Sequence, residues 1–167
     1  MKLIVAVYDD WGIGKDGTQP LTLNVDRLFF KQITCGATII AGRRTIEDFP
    51  GKRPLPNRQN IVLTKSINNI PDFIVCNSIH EATELSKNSN DAFVIGGGSV
   101  FRQMLPMCDT AYVTKVHCTP LSDTFFPNLD LDIEWEMKET IQSGTENGIS
   151  YDICLYSRKR IEREYIT

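Results

Sequence analysis

Apolar residues fall along this chain in short blocks. LIVAVY at 3–8, TIIA at 38–41, NIVL at 60–63, FIVC at 73–76, AFVI at 92–95 and TAYVTKV at 110–116 are rich in β-branched or aromatic residues. Blocks of this length and composition predict buried strands. Helical patterns lie between some of them, over 25–33, 45–48, 79–86 and 99–105, the last stopped by Pro106. Strands that alternate with helices predict an α/β sheet that is largely parallel. The end of the chain differs. Residues 135–141, the loop Glu146-Asn147-Gly148 and residues 149–157 predict an antiparallel hairpin. The expected fold is a single mixed sheet with its antiparallel strands at one end.

Composition narrows this picture. A chain of 167 residues predicts one domain, and 41% hydrophobic residues suffice for an ordinary core. The net charge is −3 with no basic block, which argues against a nucleic-acid partner. The apolar runs are strand-sized and far too short to span a membrane. The N-terminus starts like a signal peptide but turns acidic at Asp9 without an adequate apolar region, so it reads as a first strand. Five cysteines without a C-x-x-C pair predict reduced thiols and a cytoplasmic location. Two distant histidines give no metal constellation. The charged tail 159–167 reads as an extension beyond a domain at 1–158.

The first candidate for chemistry is Asp26, inside the apolar stretch PLTLNVDRLFF. It could be a first-turn residue that favours the helix dipole, with Asn24 as N-cap, or a working acid in an apolar pocket. The preceding loop 9–23 is long and glycine-rich, a pattern often found in functional loops. Two strands end in glycine before a helix, in TIIAGRRT (38–45) and AFVIGGGSVF (92–101). Each would leave free backbone N–H groups facing a phosphate, although neither is G-x-G-x-x-G and either could be a tight turn. Together they would flank the C-terminal edge of a parallel sheet, where ligands bind. Arg43, Thr64 and Lys65 could gather around an extra phosphate, which favours NADP over NAD.

In chain order, VAVYDDWGIGKDG, P…L-x-x-D-x-x-x-F-K-x-x-T, GRRT, RPLPNRQNIVLT, VIGGGSVF, YVTKV and DTFFP resemble dihydrofolate reductase across 1–158. The resemblance implies a mainly parallel eight-stranded sheet with four helices. It implies reduction of 7,8-dihydrofolate to tetrahydrofolate with NADPH, by a monomer open to antifolate inhibitors. Asp26 falls on the family's site acid and Thr114 on the threonine that bonds it. Phe30, Phe49 and Leu55 would contact substrate, and Arg58 would grip the α-carboxylate of its glutamate. Ile4, Val5, Ala6, Ile95 and Phe101 would line the pterin and nicotinamide pocket.

For the cofactor, Gly96 and Gly97 match a glycine pair joined by a cis peptide, continued by Gly98, Ser99 and Val100. Gly42, Arg43, Arg44 and Thr45, with Leu63, Thr64 and Lys65, match its phosphate side. Ile13, Gly14 and Thr124 would complete the site, and Asp123 would support the loop that closes over it.

Four positions leave the family pattern. Leu21 stands where a tryptophan usually closes the nicotinamide site, and Gln19 and Asn57 replace an apolar residue and a glycine. Arg27 replaces an apolar neighbour of the acid and could either turn to solvent or reach toward the glutamate tail. Burial would raise the Asp26 pKa, and water would deliver the proton to the pterin N5. Two alternatives stay open: a riboflavin-pathway reductase of the same fold, which needs neither Asp26 nor Arg58, and a non-catalytic NADPH- or folate-binding protein.

Overall fold

The computed structural model describes residues 1–160. Its elements in chain order are β1 (Lys2–Tyr8), β2 (Gly12–Gly14), α1 (Asn24–Thr34), β3 (Thr38–Gly42), α2 (Arg43–Glu47), β4 (Gln59–Leu63) and β5 (Ile74–Cys76). There follow α3 (Ile79–Ser86), β6 (Ala92–Gly96), α4 (Gly98–Met104), β7 (Thr110–Val116), β8 (Thr124–Phe125), β9 (Trp135–Glu146) and β10 (Ile149–Arg158). The main sheet has eight strands in the order β5-β4-β3-β6-β1-β7-β10-β9. Every pairing from β5 to β7 is parallel, and β10 alone runs against the rest.

Strand β1 shows why the blocks behave as strands. Successive side chains point to opposite faces. Leu3, Val5 and Val7 join one buried cluster with Ile40, Val94, Val113, Phe101 and Met104. Ile4 joins the opposite cluster with Ile39 and Phe93, covered by Phe29, Phe30 and Ile33 of α1. Both faces are therefore dry, which is why these strands read as continuous apolar runs. The outer strand β9 is mostly exposed and carries Glu136, Lys138 and Glu139, charges that discourage edge-to-edge pairing.

Element ends differ from the sequence expectation in informative places. Strand β9 runs on to Glu146 because its pairing with β10 continues to Ile149. Helix α2 starts at Arg43, and α4 stops at Met104 before a tight turn around Pro106. Asn24 is not the N-cap of α1. Leu23 takes that position with extended backbone, and no side chain caps the helix locally. The short pair β2–β8 was beyond the pattern, having only three and two residues. Of the charged tail, Lys159 donates its backbone N–H to Glu134 O at 2.7 Å, and 161–167 lie outside the described residues. No helix among the described residues is long and apolar enough to cross a membrane.

Candidate active site

A cleft of about 850 Å³ opens beside the C-terminal ends of β3 and β6. Its floor comes from Ile4, Val5 and Ala6 of β1 and Ile95 of β6. One wall is α1, through Asp26, Arg27 and Phe30. The opposite wall is Phe49, Leu55 and Arg58, on the segment between α2 and β4. Parallel strands put all these residues at one sheet edge, although they are far apart in the chain.

Asp26 sits in the first turn of α1, is half-buried and lines the cleft. Burial pushes its carboxyl pKa above the ordinary 3.8, and a hydrogen bond from Thr114 and the charge of Arg27 only partly oppose this. Thr114 lies on β7, opposite Ala6 of β1, and is itself buried. It thus meets the acid from behind the cleft wall. The first-turn reading and the working-acid reading of Asp26 are both compatible with this geometry.

Arg58 has a conspicuous orphan. Its Nε is buried without a hydrogen-bond partner among the described residues. The guanidinium lies 5.8 Å from the centroid of the Phe30 ring, and burial lowers its pKa. A half-buried cation with an unused donor at the mouth of an apolar cleft suits a carboxylate on the ligand. Neighbouring Asn60 closes the segment by bonding both Leu55 N and Leu55 O at 2.9 Å. Arg27 is exposed at the cleft rim, where its Nη2 donates to Thr22 Oγ1 at 2.6 Å.

A second cavity of about 580 Å³ adjoins the first and shares Arg44, Thr45, Gly97, Gly98 and Thr124 with it. Arg43, Arg44, Lys65 and Arg102 line it, with no acidic side chain among its lining residues. Gly42, Leu63, Thr64, Ser99 and Val100 also line it. In a chain of net charge −3 this is a local cluster of positive charge, and it fits a phosphate-bearing cofactor. Arg43 is partly engaged, since Nη1 donates to Glu47 Oε1 at 2.9 Å. Three glycines, Gly96, Gly97 and Gly98, lie where the cavities adjoin. Gly96 has φ 129°, and the Gly96–Gly97 peptide is cis. A Cβ on Gly98 would meet Thr124 Cγ2 at 2.5 Å. Ile13 and Gly14 reach the first cavity from the loop, and Phe101 from α4. Arg102 and Ser66 belong to this lining too, and no motif in the sequence singled them out.

The loop 9–23 is tied down at several points. Asp16 N donates to Asp123 Oδ2 at 3.0 Å, and Asp123 N donates to Gly14 O at 2.9 Å. The bond from Asp16 N, and then one from the Thr124 hydroxyl, hold the Asp123 carboxyl below its ordinary pKa. Leu21 is not among the residues lining either cavity. The Tyr8 hydroxyl accepts from Leu21 N at 2.9 Å and donates to Leu21 O at 2.7 Å. The Leu21 side chain packs with Tyr8, Leu23, Val116, Tyr151 and Ile153. An aliphatic side chain gains more from that apolar cluster than from the open cleft. Leu21, expected as a catalytic position, thus packs in this structure outside both cavities. Gln19, by contrast, does line the cleft.

The comparisons with known proteins agree with one another. A family model described as "Dihydrofolate reductase" matches residues 1–158. A dihydrofolate reductase of Haemophilus influenzae is 38% identical over 159 residues, 94% of this chain and 98% of its own length. A bifunctional dihydrofolate reductase-thymidylate synthase of Glycine max is 36% identical over 95% of this chain, which spans only 34% of that longer protein. Among solved structures, a dihydrofolate reductase from Enterococcus faecalis complexed with NADP(H) and RAB-propyl superposes with a TM-score of 0.85. It is 35% identical and is covered over 95% of this chain and 96% of its own.

Proposed function

The chain belongs to the dihydrofolate reductase family and reduces dihydrofolate with NADPH; we propose that Asp26, Thr114 and Arg58 carry the recognition that makes this possible. The observation that carries the reading is one carboxylate with a raised pKa inside an apolar cleft, next to a cavity whose charged lining residues are all cations. When bound, NADPH supplies the hydride that the substrate accepts. Asp26 accepts hydrogen bonds from the amidine-like edge of the pterin and holds it flat against Phe30. Its raised pKa favours a shared proton at that edge, and water from the cleft completes N5 protonation. Thr114 fixes the carboxyl orientation. Arg58 pairs with the α-carboxylate of the substrate's glutamate, which gives its buried Nε a partner. Arg43, Arg44, Thr45, Thr64 and Lys65 hold the cofactor phosphates.

The test follows absorbance at 340 nm with NADPH and dihydrofolate. Asp26→Asn is expected to lower the rate about 100-fold or more at neutral pH, with NADPH affinity nearly unchanged. A rate near that of the unmodified protein would remove Asp26 from this role. The same assay without any substitution separates an enzyme from a binding protein. We also propose that the protein acts as a monomer in the cytoplasm. Its five free thiols suit a reducing compartment, and size-exclusion chromatography with light scattering checks the oligomeric state.

A further inference from the structure

Glu146 holds the first turn of α1 from the far end of the chain. It is the last residue of β9, at a hairpin tip where Asn147 and Gly148 have φ 50° and 76° and turn the chain back into Ile149. That pair of left-handed residues makes a tight, defined turn. Asn24 N donates to Glu146 Oε2 at 2.7 Å, and Val25 N donates to Glu146 Oε1 at 3.0 Å. These are two of the amides that no carbonyl within a helix can reach. Leu23 at the N-cap has no side-chain acceptor to offer them. The bonds therefore satisfy two orphan donors and place a negative charge at the positive end of the helix.

The contact is docked and not a stray surface pairing. Beside the carboxylate, Leu23, Val25, Ile149 and Tyr151 pack in one apolar cluster. Within α1 itself the one fully buried residue is Thr34, at the opposite end from this turn. Asp26 is the residue immediately after the two bonded amides. Whatever rotates those peptides rotates the Cα–Cβ direction of Asp26.

We infer that Glu146 is a positioning residue for the reduction: by clamping the amides of Asn24 and Val25, it sets the angle at which Asp26 meets the pterin edge. This rests on the reading of Asp26 as the site acid. The carboxylate is suited to the task in a way an amide is not. Both of its oxygens accept, whereas glutamine would present N–H to one of the two donors.

The experiment combines Glu146→Ala, Glu146→Gln and Asp26→Asn, singly and in the double variant Asp26→Asn/Glu146→Ala. Single-turnover hydride transfer, KM for dihydrofolate, NADPH affinity and Tm are measured on each. Glu146→Ala is expected to slow hydride transfer about three- to tenfold and to raise KM for dihydrofolate, with NADPH affinity unchanged. Glu146→Gln should fall between it and the parent. In the Asp26→Asn background, Glu146→Ala should cost no further rate, because it acts through Asp26. Parent-like kinetics in Glu146→Ala with only Tm lowered, or rate losses that multiply in the double variant, would overturn the inference alone. A parent-like rate in Asp26→Asn by itself would overturn the Asp26 reading as well.

Discussion

At the scale of the residue, Asp26 is a buried acid that carries a cost in stability. Its folded pKa lies above the ordinary 3.8 because burial penalises the charged form, so the folded state binds the proton more tightly than the unfolded chain. Stability from this group consequently falls as pH rises from 3.8 through the folded value, the reverse of an ion-paired aspartate. Asp26→Asn removes the penalty. The variant is expected to have a higher Tm than the parent at about pH 7, and the gain should vanish toward about pH 3, where both forms are neutral. Calorimetry of the ligand-free proteins across that range measures it, and an unchanged or lower Tm at neutral pH would contradict the penalty. The sequence offered this residue as an acid among apolar neighbours. Local pattern did not point to Thr114, 88 positions away; only the family resemblance did, because the contact exists only once β7 lies beside β1.

At the scale of the element, the question is what holds the loop 9–23 and α1 against the sheet. Glu146 secures the end of that stretch, and His117 secures its beginning. His117 Nδ1 lies 3.0 Å from Asp9 Oδ1, and Nε2 lies 2.6 Å from Asp152 Oδ2 on β10. Asp152 also accepts from Ser143 of β9. Asp152 and then Asp9 raise the His117 pKa above 6.5, so its contribution to stability is complete below 6.5 and is lost as pH rises through the folded value. For Asp152 the sign is opposite. Ser143 and then His117 depress its pKa, and its contribution is complete above 3.8 and lost as pH falls through the folded value. The clamp is therefore strongest between 3.8 and 6.5. His117→Asn should lower Tm most at about pH 5.5 and much less at about pH 9. An equal loss at both would show that the charge of His117 contributes nothing. The cluster is partly exposed, so the effect should also shrink with added salt.

Elements were legible in the sequence to the extent that they bury apolar side chains. The blocks at 110–116 and 79–86 coincide with β7 and α3. The β2–β8 pair was not legible, since Gly12, Gly14 and their partners form a ladder whose pairing comes from contact with a distant loop. The cap of α1 was misread for the same reason. Asn24 is a good capping residue by local preference, but Glu146 satisfies the amides from 122 positions away. A local rule gave way to a tertiary contact.

At the scale of the whole molecule, charge is sorted between surface and cleft. The net charge is −3, yet four cations and no acid line the second cavity. NADPH binding should weaken as ionic strength rises, because exposed Arg44 and Lys65 are screened. Lys65→Gln should weaken NADPH about tenfold while changing NADH affinity little, if Lys65 faces the additional phosphate. Fluorescence titration with both nucleotides at two salt concentrations checks this, and equal losses for the two would place Lys65 elsewhere.

By itself the sequence determined the class of sheet, the strand and helix order, the glycine turns and the basic strand end, and it offered Asp26 as a candidate acid, because each is written in local pattern or in motifs of fixed spacing. Only the tertiary structure decided how these meet. It turned Leu21 into the Tyr8 cluster and away from the cleft, set Thr114 behind Asp26, gave Arg58 a buried donor without a partner and brought Glu146 to the head of α1. The physical reason is the same in each case. These contacts join residues far apart in the chain, and they form only when strand order and register bring one sheet edge together.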